Sequence, residues 1–102
     1  PYLKKMLTDI EPNVRWDAAI GLAKQKDSTA RTILLDLLDR KYLNSFPNID
    51  EKEKVQVILV VISVSHFIQN QELKSKLEFL KNEDSNLKIR EAARIALEKY
   101  II

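Results

Sequence analysis

Two stretches of this chain repeat one another: Asp9 to Leu22 reads D-I-E-P-N-V-R-W-D-A-A-I-G-L, and Asp84 to Leu97 reads D-S-N-L-K-I-R-E-A-A-R-I-A-L. Each has an Asp, a β-branched residue and Arg at offsets five and six, Ala at nine and Leu at thirteen. A fixed self-similarity of this kind marks stacked supersecondary units. The separation corresponds to two units of about 37 residues, with the middle unit starting near Asp50. Glycine occurs once and proline three times in 102 residues, too few for the turns of a many-stranded β fold. The units are therefore expected to be helical.

The spacing predicts where the helices fall. Leu3, Met6 and Leu7 have helical spacing, so residues 1–8 read as the tail of a helix. Pro12, with Glu11 ahead of it, suits the first turn of a second helix running to about Gln25. Its apolar residues, including Val14, Trp16, Ala18, Ala19 and Leu22, cover an arc of roughly 200°, expected of a helix packed on two sides. Asp27 can cap a helix from Ser28 to about Leu43. Phe46 and Ile49 of the Pro47 connector are expected to tuck onto the core. Asp50 with Glu53 is a capping-box-like start for a helix through Val55 to about Gln69, apolar as far as Ile68. That stretch is β-branched almost throughout and would make a strand by propensity. Its length, its capped start and the lack of a pairing strand favour a helix, apolar all round and central to the domain. Residues 71–82 carry only the stripe Leu73, Leu77 and Leu80, and residues 86–100 form the last helix.

On these residues the chain resembles the HEAT and HEAT-like repeat family, whose first helix commonly has an Asp six residues before an Arg followed by small residues. Asp9 with Arg15, and Asp84 with Arg90, match that pattern; the middle unit, with Asp50, Lys54 and Val55, lacks the Arg. The resemblance implies an all-α fold, a short right-handed α-α superhelix of five to six helices in antiparallel hairpins. As one domain over 1–102, it would comprise the tail at 1–8, a first hairpin at 9–43, a second at 50–82 and a terminal capping helix at 84–102. Arg15 falls inside the apolar arc of its helix. A buried cation needs a partner, so Asp9–Arg15 and Asp84–Arg90 are expected to be structural ion pairs. Where the first copy has Trp16, Ala19 and Ala23, the last has Glu91, Arg94 and Glu98, a solvated face expected of a capping repeat.

Little in the chain suggests chemistry. His66 is the lone histidine and there is no cysteine, so no metal set or nucleophile–base pair can be proposed. Ser63 and Ser65 are expected to bond back to helix carbonyls. The carboxylates sit at caps or among lysines, and Gly21 in a helix reads as close packing rather than a phosphate loop. The expectation is a protein that is not an enzyme and carries no catalytic residue, cofactor or metal. Net charge is +2 and evenly spread, without the footprint expected for nucleic acid. The longest apolar run is short of the ~20 residues needed to cross a bilayer, so no membrane insertion is expected. The lack of cysteine favours a cytoplasmic location. The chain opens with Pro1, which reads as a trimmed piece, whereas the solvated last helix reads as a genuine end.

Trp16 and Tyr42 read as core rather than as interface anchors. By the resemblance, the second helix of each hairpin lines a concave side. That implicates Thr32, Asp36 and Asp39, then Lys74, Glu78 and Lys81, in binding another protein. The leading expectation is thus a non-catalytic protein-binding scaffold or adaptor, with self-association through the N-terminal end around Leu3, Met6 and Leu7 as a further possibility. The alternatives are a HEAT-like nucleic-acid-binding or DNA-repair protein, and a lyase or chaperone that handles a cofactor.

Overall fold

The computed structural model describes residues 2–102; Pro1 lies outside the described residues. Seven α-helices and one 3-10 turn account for the regular structure, with no strand among the described residues. The helices are α1 (Tyr2–Met6), α2 (Pro12–Lys24), α3 (Arg31–Leu37), α4 (Arg40–Asn44), α5 (Glu51–Ser65), α6 (Gln71–Glu83) and α7 (Leu87–Leu97), with the 3-10 turn at Ser28–Ala30.

Local chemistry sets the boundaries. Pro12 occupies the first position of α2. At the other end Lys26 adopts φ 60°, and the Asp27 and Lys26 amides donate to the Leu22 and Ala23 carbonyls at 2.9 and 2.8 Å. This is a Schellman ending with a lysine where glycine is usual. The β-branched segment is helical: Asp50 accepts from the Glu53 amide at 2.8 Å, while the Glu53 carboxylate accepts from the Asp50 amide at 3.2 Å. That reciprocal cap fixes the first turn, and burial of Ile58, Val61, Ile62 and Val64 outweighs the modest propensity cost of β-branching.

The single helix expected over 28–43 is instead broken at Leu38 and Asp39. Asp39 is extended, and its carboxylate accepts from the Lys41 amide at 2.9 Å, starting a new helix where the old one would have continued. A short acidic side chain that captures a nearby backbone amide competes in this way with helix propagation. The break re-aims Arg40 and Tyr42, with consequences described below.

The helices form two layers. In one, α5 lies between α2 and α7; in the other, α3 packs on α6. Helix α3 also meets α2 and α5, and α6 packs closely along α7. The Cα trace measures 34 × 34 × 16 Å. Two helix layers with axes ~9 Å apart, each of ~2.3 Å Cα radius, give a slab of about this thickness. One continuous core runs between the layers, from Trp16 and Leu22 through Leu34, Leu37 and Ile58 to Leu77 and Ile89. Gly21 admits α1 closely: a Cβ there would lie 3.2 Å from a Leu3 methyl.

The central helix is not buried all round, as its composition suggested. Gln56 and Ser63 are exposed, and Val57, Leu59 and Val60 are only half-buried. In a two-layer slab, α5 has neighbours on three sides and its fourth side faces out.

The last segment is tied to α5 through Tyr100. Its buried hydroxyl lies 2.8 Å from the Ser65 carbonyl, which also accepts from the Ile68 amide at 3.0 Å, and 3.1 Å from the carbonyl of Ile68 in the turn after α5. Burial pushes the phenol up to about 12. The unfolded phenol titrates near ~10, so the stability from keeping it protonated is complete below that pH and is lost as pH rises toward 12. Tyr100→Phe is expected to cost about 1–2 kcal/mol in chemical denaturation at neutral pH and to weaken the alkaline fall in stability.

Candidate functional site

The family-like Asp and Arg residues brace turns rather than pair with each other. Arg15 donates to the Asp9 and Ile10 carbonyls at 2.8 and 3.2 Å, while the Asp9 carboxylate accepts from the Glu11 amide at 2.9 Å. In the second copy Arg90 donates to the Lys81 carbonyl at 3.2 Å, and Asp84 accepts from the Asn86 amide at 2.9 Å. Both expected ion pairs are thus corrected in the same way. Carbonyls left free where a helix gives way to a turn attract the guanidinium, and each carboxylate is already bound to an amide two residues on.

The cation on Asp84 is Arg40. Its Nε and Nη2 reach the two Asp84 oxygens at 2.7 and 3.1 Å, and its Nη1 donates to Glu51 at 2.9 Å. The Asp84 side chain is 2% exposed and that of Arg40 24%. Burial alone would raise the Asp84 carboxyl, but the hydrogen bonds from Arg40 and the Asn86 amide, with the charges of Arg40 and Arg90, hold it below the usual carboxylate range. The break at Asp39 makes this clamp possible, because it starts α4 at Arg40.

Beside the clamp lies a groove between the α3–α4 segment and α6. It comprises two adjoining depressions of roughly 480 and 550 Å³ that share Asp39, Lys76 and Phe79. Phe79 is 58% exposed. Lys76 lies 3.7 Å from Asp39. Asp36 is shifted upward by burial first and by the neighbouring Asp39 charge second, with Lys76 opposing. Glu72 and Glu83 also line the groove, without an ion-pair partner among the described residues, whereas Arg40 is consumed by its carboxylates.

Of the six residues expected on a binding face, the structure brings Asp36 and Asp39 into this groove. Thr32 is exposed one turn earlier on α3, outside its walls. Lys74, Glu78 and Lys81 lie on the other flank of α6; the Lys74 ammonium is bonded to the Ile102 carbonyl. Both flanks of the Leu73, Leu77 and Leu80 stripe are polar, so the helical wheel could not tell which one meets α3. The missed residues are Lys76 and Phe79. Phe79 carried a signal, being the one aromatic of α6 and lying off its leucine stripe.

The expectations for Trp16, for the two serines of α5 and for the solvated face of α7 are met directly. Trp16 is 5% exposed and donates to the Tyr42 hydroxyl at 3.3 Å, with its ring edge-on to Tyr42 and Phe46 at 6.3 and 5.3 Å. Ser63 and Ser65 donate to the Val60 and Ile62 carbonyls at 2.6 and 2.9 Å. Glu91, Arg94 and Glu98 are exposed and pair among themselves at 2.7 and 2.9 Å, whereas Trp16, Ala19 and Ala23 are buried. His66 lines a small apolar depression between α5 and α7; burial, then the charges of Lys99 and Lys26, push its pKa down. Among the described residues no three His, Asp or Glu side chains converge as metal ligands would, and no helix is long and apolar enough to cross a membrane.

Compared with protein-family models, with curated proteins and with solved structures, the chain matches none of them.

Proposed function

We propose that this chain is a non-catalytic adaptor module of the HEAT-like kind, which binds another protein through the groove between α3–α4 and α6. The repeat reading is supported by the layering of α2, α5 and α7 against α3 and α6, and by the Asp carboxylate that holds the amide two residues on in both sequence copies. It would make α2–α3 and α5–α6 successive hairpins of a right-handed superhelix, with α7 as the terminal capping helix.

The observation that carries the functional reading is Phe79, a large apolar ring more than half exposed in a concave surface and surrounded by charged side chains. An aromatic anchor within a polar rim is the composition of an interface hot spot. The partner that suits it presents an apolar side chain to the ring and cations to Asp36, Glu72 and Glu83. The nucleic-acid alternative is disfavoured on this face, where carboxylates outnumber free cations and would repel phosphate.

Capture from lysate with the wild-type chain and with Phe79→Asp tests this. A partner bound by the first is expected to be weakened by about 2 kcal/mol or more, some thirtyfold, in the second, while helicity and melting temperature stay the same. Equal recovery with both baits would remove the groove from the proposal.

A further inference from the structure

We propose that the partner enters the α3–α6 groove with an arginine beside an apolar residue, the arginine lodging in the depression walled by α3 and the apolar side chain in the one walled by α4. The inference rests on the adaptor reading and divides its groove in two, because the two depressions differ in charge. In the α4-side depression Arg40 is spent on Asp84 and Lys76 on Asp39, which leaves one carboxylate, Glu83, and one cation, Lys41. Its rim is balanced, and the buried Leu38 and Leu80 line it beside the Phe79 ring. An apolar side chain suits such a lining. In the α3-side depression, once Lys76 is set against Asp39, the carboxylates of Asp36 and Glu72 remain. The other cations of α3 and α6, Arg31, Lys74 and Lys81, line neither depression.

That surplus of negative charge, set beside an exposed ring, identifies the occupant. The exposed Asp36 carboxylate has no ion pair or hydrogen bond among the described residues. Burial first, and the Asp39 charge second, push its pKa up, and Lys76 offsets them only in part. Asp36 stands on the α3 wall, whereas Glu72 and Phe79 stand on the α6 wall, so an incoming side chain meets carboxylates on both sides and an aromatic ring on one. A guanidinium answers all three. It is weakly hydrated and so surrenders less on leaving water, its fork of donors can bond to two carboxylates, and its plane can lie on the ring. A lysine ammonium is a compact, strongly hydrated charge that suits one wall at a time.

Amide NMR titration of the full chain with three short peptides tests the proposal; each carries a leucine beside an arginine, a lysine or a citrulline. The arginine peptide is expected to shift residues of α3 and α6 around Asp36 and Phe79. It should bind about tenfold more tightly than the citrulline peptide and about threefold more tightly than the lysine peptide. Asp36→Asn, at an exposed position whose side chain bonds to nothing else, should reduce the preference for arginine over citrulline to about threefold, with circular dichroism unchanged. Three peptides that bind alike, no shift with any of them at about 10 mM, or shifts confined to the Glu78 flank of α6 would overturn the proposal. The groove itself is tested separately through Phe79→Asp: a partner lost in that variant but held as tightly by Asp36→Asn as by the wild type would overturn the arginine and leave the groove standing.

Discussion

Arg40→Met is expected to destabilise the fold by about 3 kcal/mol at neutral pH, lowering the melting temperature by roughly 12–20 °C. The substitution keeps the apolar stem of the side chain and removes its guanidinium, leaving the Asp84 carboxylate nearly without solvent and without its cation. Breaking one half of a buried pair costs more than the pair contributes, because the remaining charge stays desolvated. Partial exposure of Arg40 sets the estimate at the lower end of the usual range. Arg40→Met with Asp84→Asn should recover much of the loss, since asparagine needs no cation and can still accept from the Asn86 amide.

The pH dependence separates this cause from lost packing. In the wild type the Asp84 carboxyl titrates below its unfolded value, so its contribution is complete above the ordinary carboxylate range and is lost as pH falls through the depressed value. In Arg40→Met the orphaned carboxyl gains by protonation, so acid relieves the variant while it weakens the wild type. Urea denaturation at neutral pH and near pH ~4 should therefore show the gap between the two closing. A gap that stays constant would mean that the guanidinium acts through packing alone.

Trp16→Ala should cost about 3–5 kcal/mol. The indole is one of the largest buried groups, and it is the contact through which Tyr42 and Phe46, from α4 and the connector after it, reach α2. Its loss leaves a cavity between α2 and the aromatic pair and removes the donor to the Tyr42 hydroxyl. Thermal denaturation and near-ultraviolet circular dichroism check this. Trp16→Phe, which refills part of the space, should lose less than half as much. Neither change should reduce partner binding in whatever fraction of the protein remains folded, because the indole does not line the α3–α6 groove.

How much was legible in the sequence followed from how local each cause was. The Asp50 cap and the Pro12 start act within a turn, and the helices they begin are found where spacing predicts, while Asp27 caps the 3-10 turn that leads into α3. The solvated trio of α7 was visible by comparing one copy with the other. Asp39 shows the limit: as a solvent-facing position on a continuous helix it fitted the apolar period, yet its carboxylate could also close on the Lys41 amide, and periodicity does not rank the two. From that one turn followed the aim of Arg40 and hence the true partner of Asp84, 44 residues away. The wheel of α5 counted apolar residues but not neighbours, so it could not reveal an open side. The flank of α6 that meets α3 depends on packing between layers, which left Lys74, Glu78 and Lys81 on a par with Lys76, and Phe79 was the one mark of the flank that does.

Hydrogen exchange along the chain, with and without the captured partner, tests the central claim most directly. If the groove is the binding surface, slowing of exchange is expected in α3, α4 and α6 and should vanish with Phe79→Asp. Protection confined to α2 and α5, or protection that survives Phe79→Asp unchanged, would contradict it.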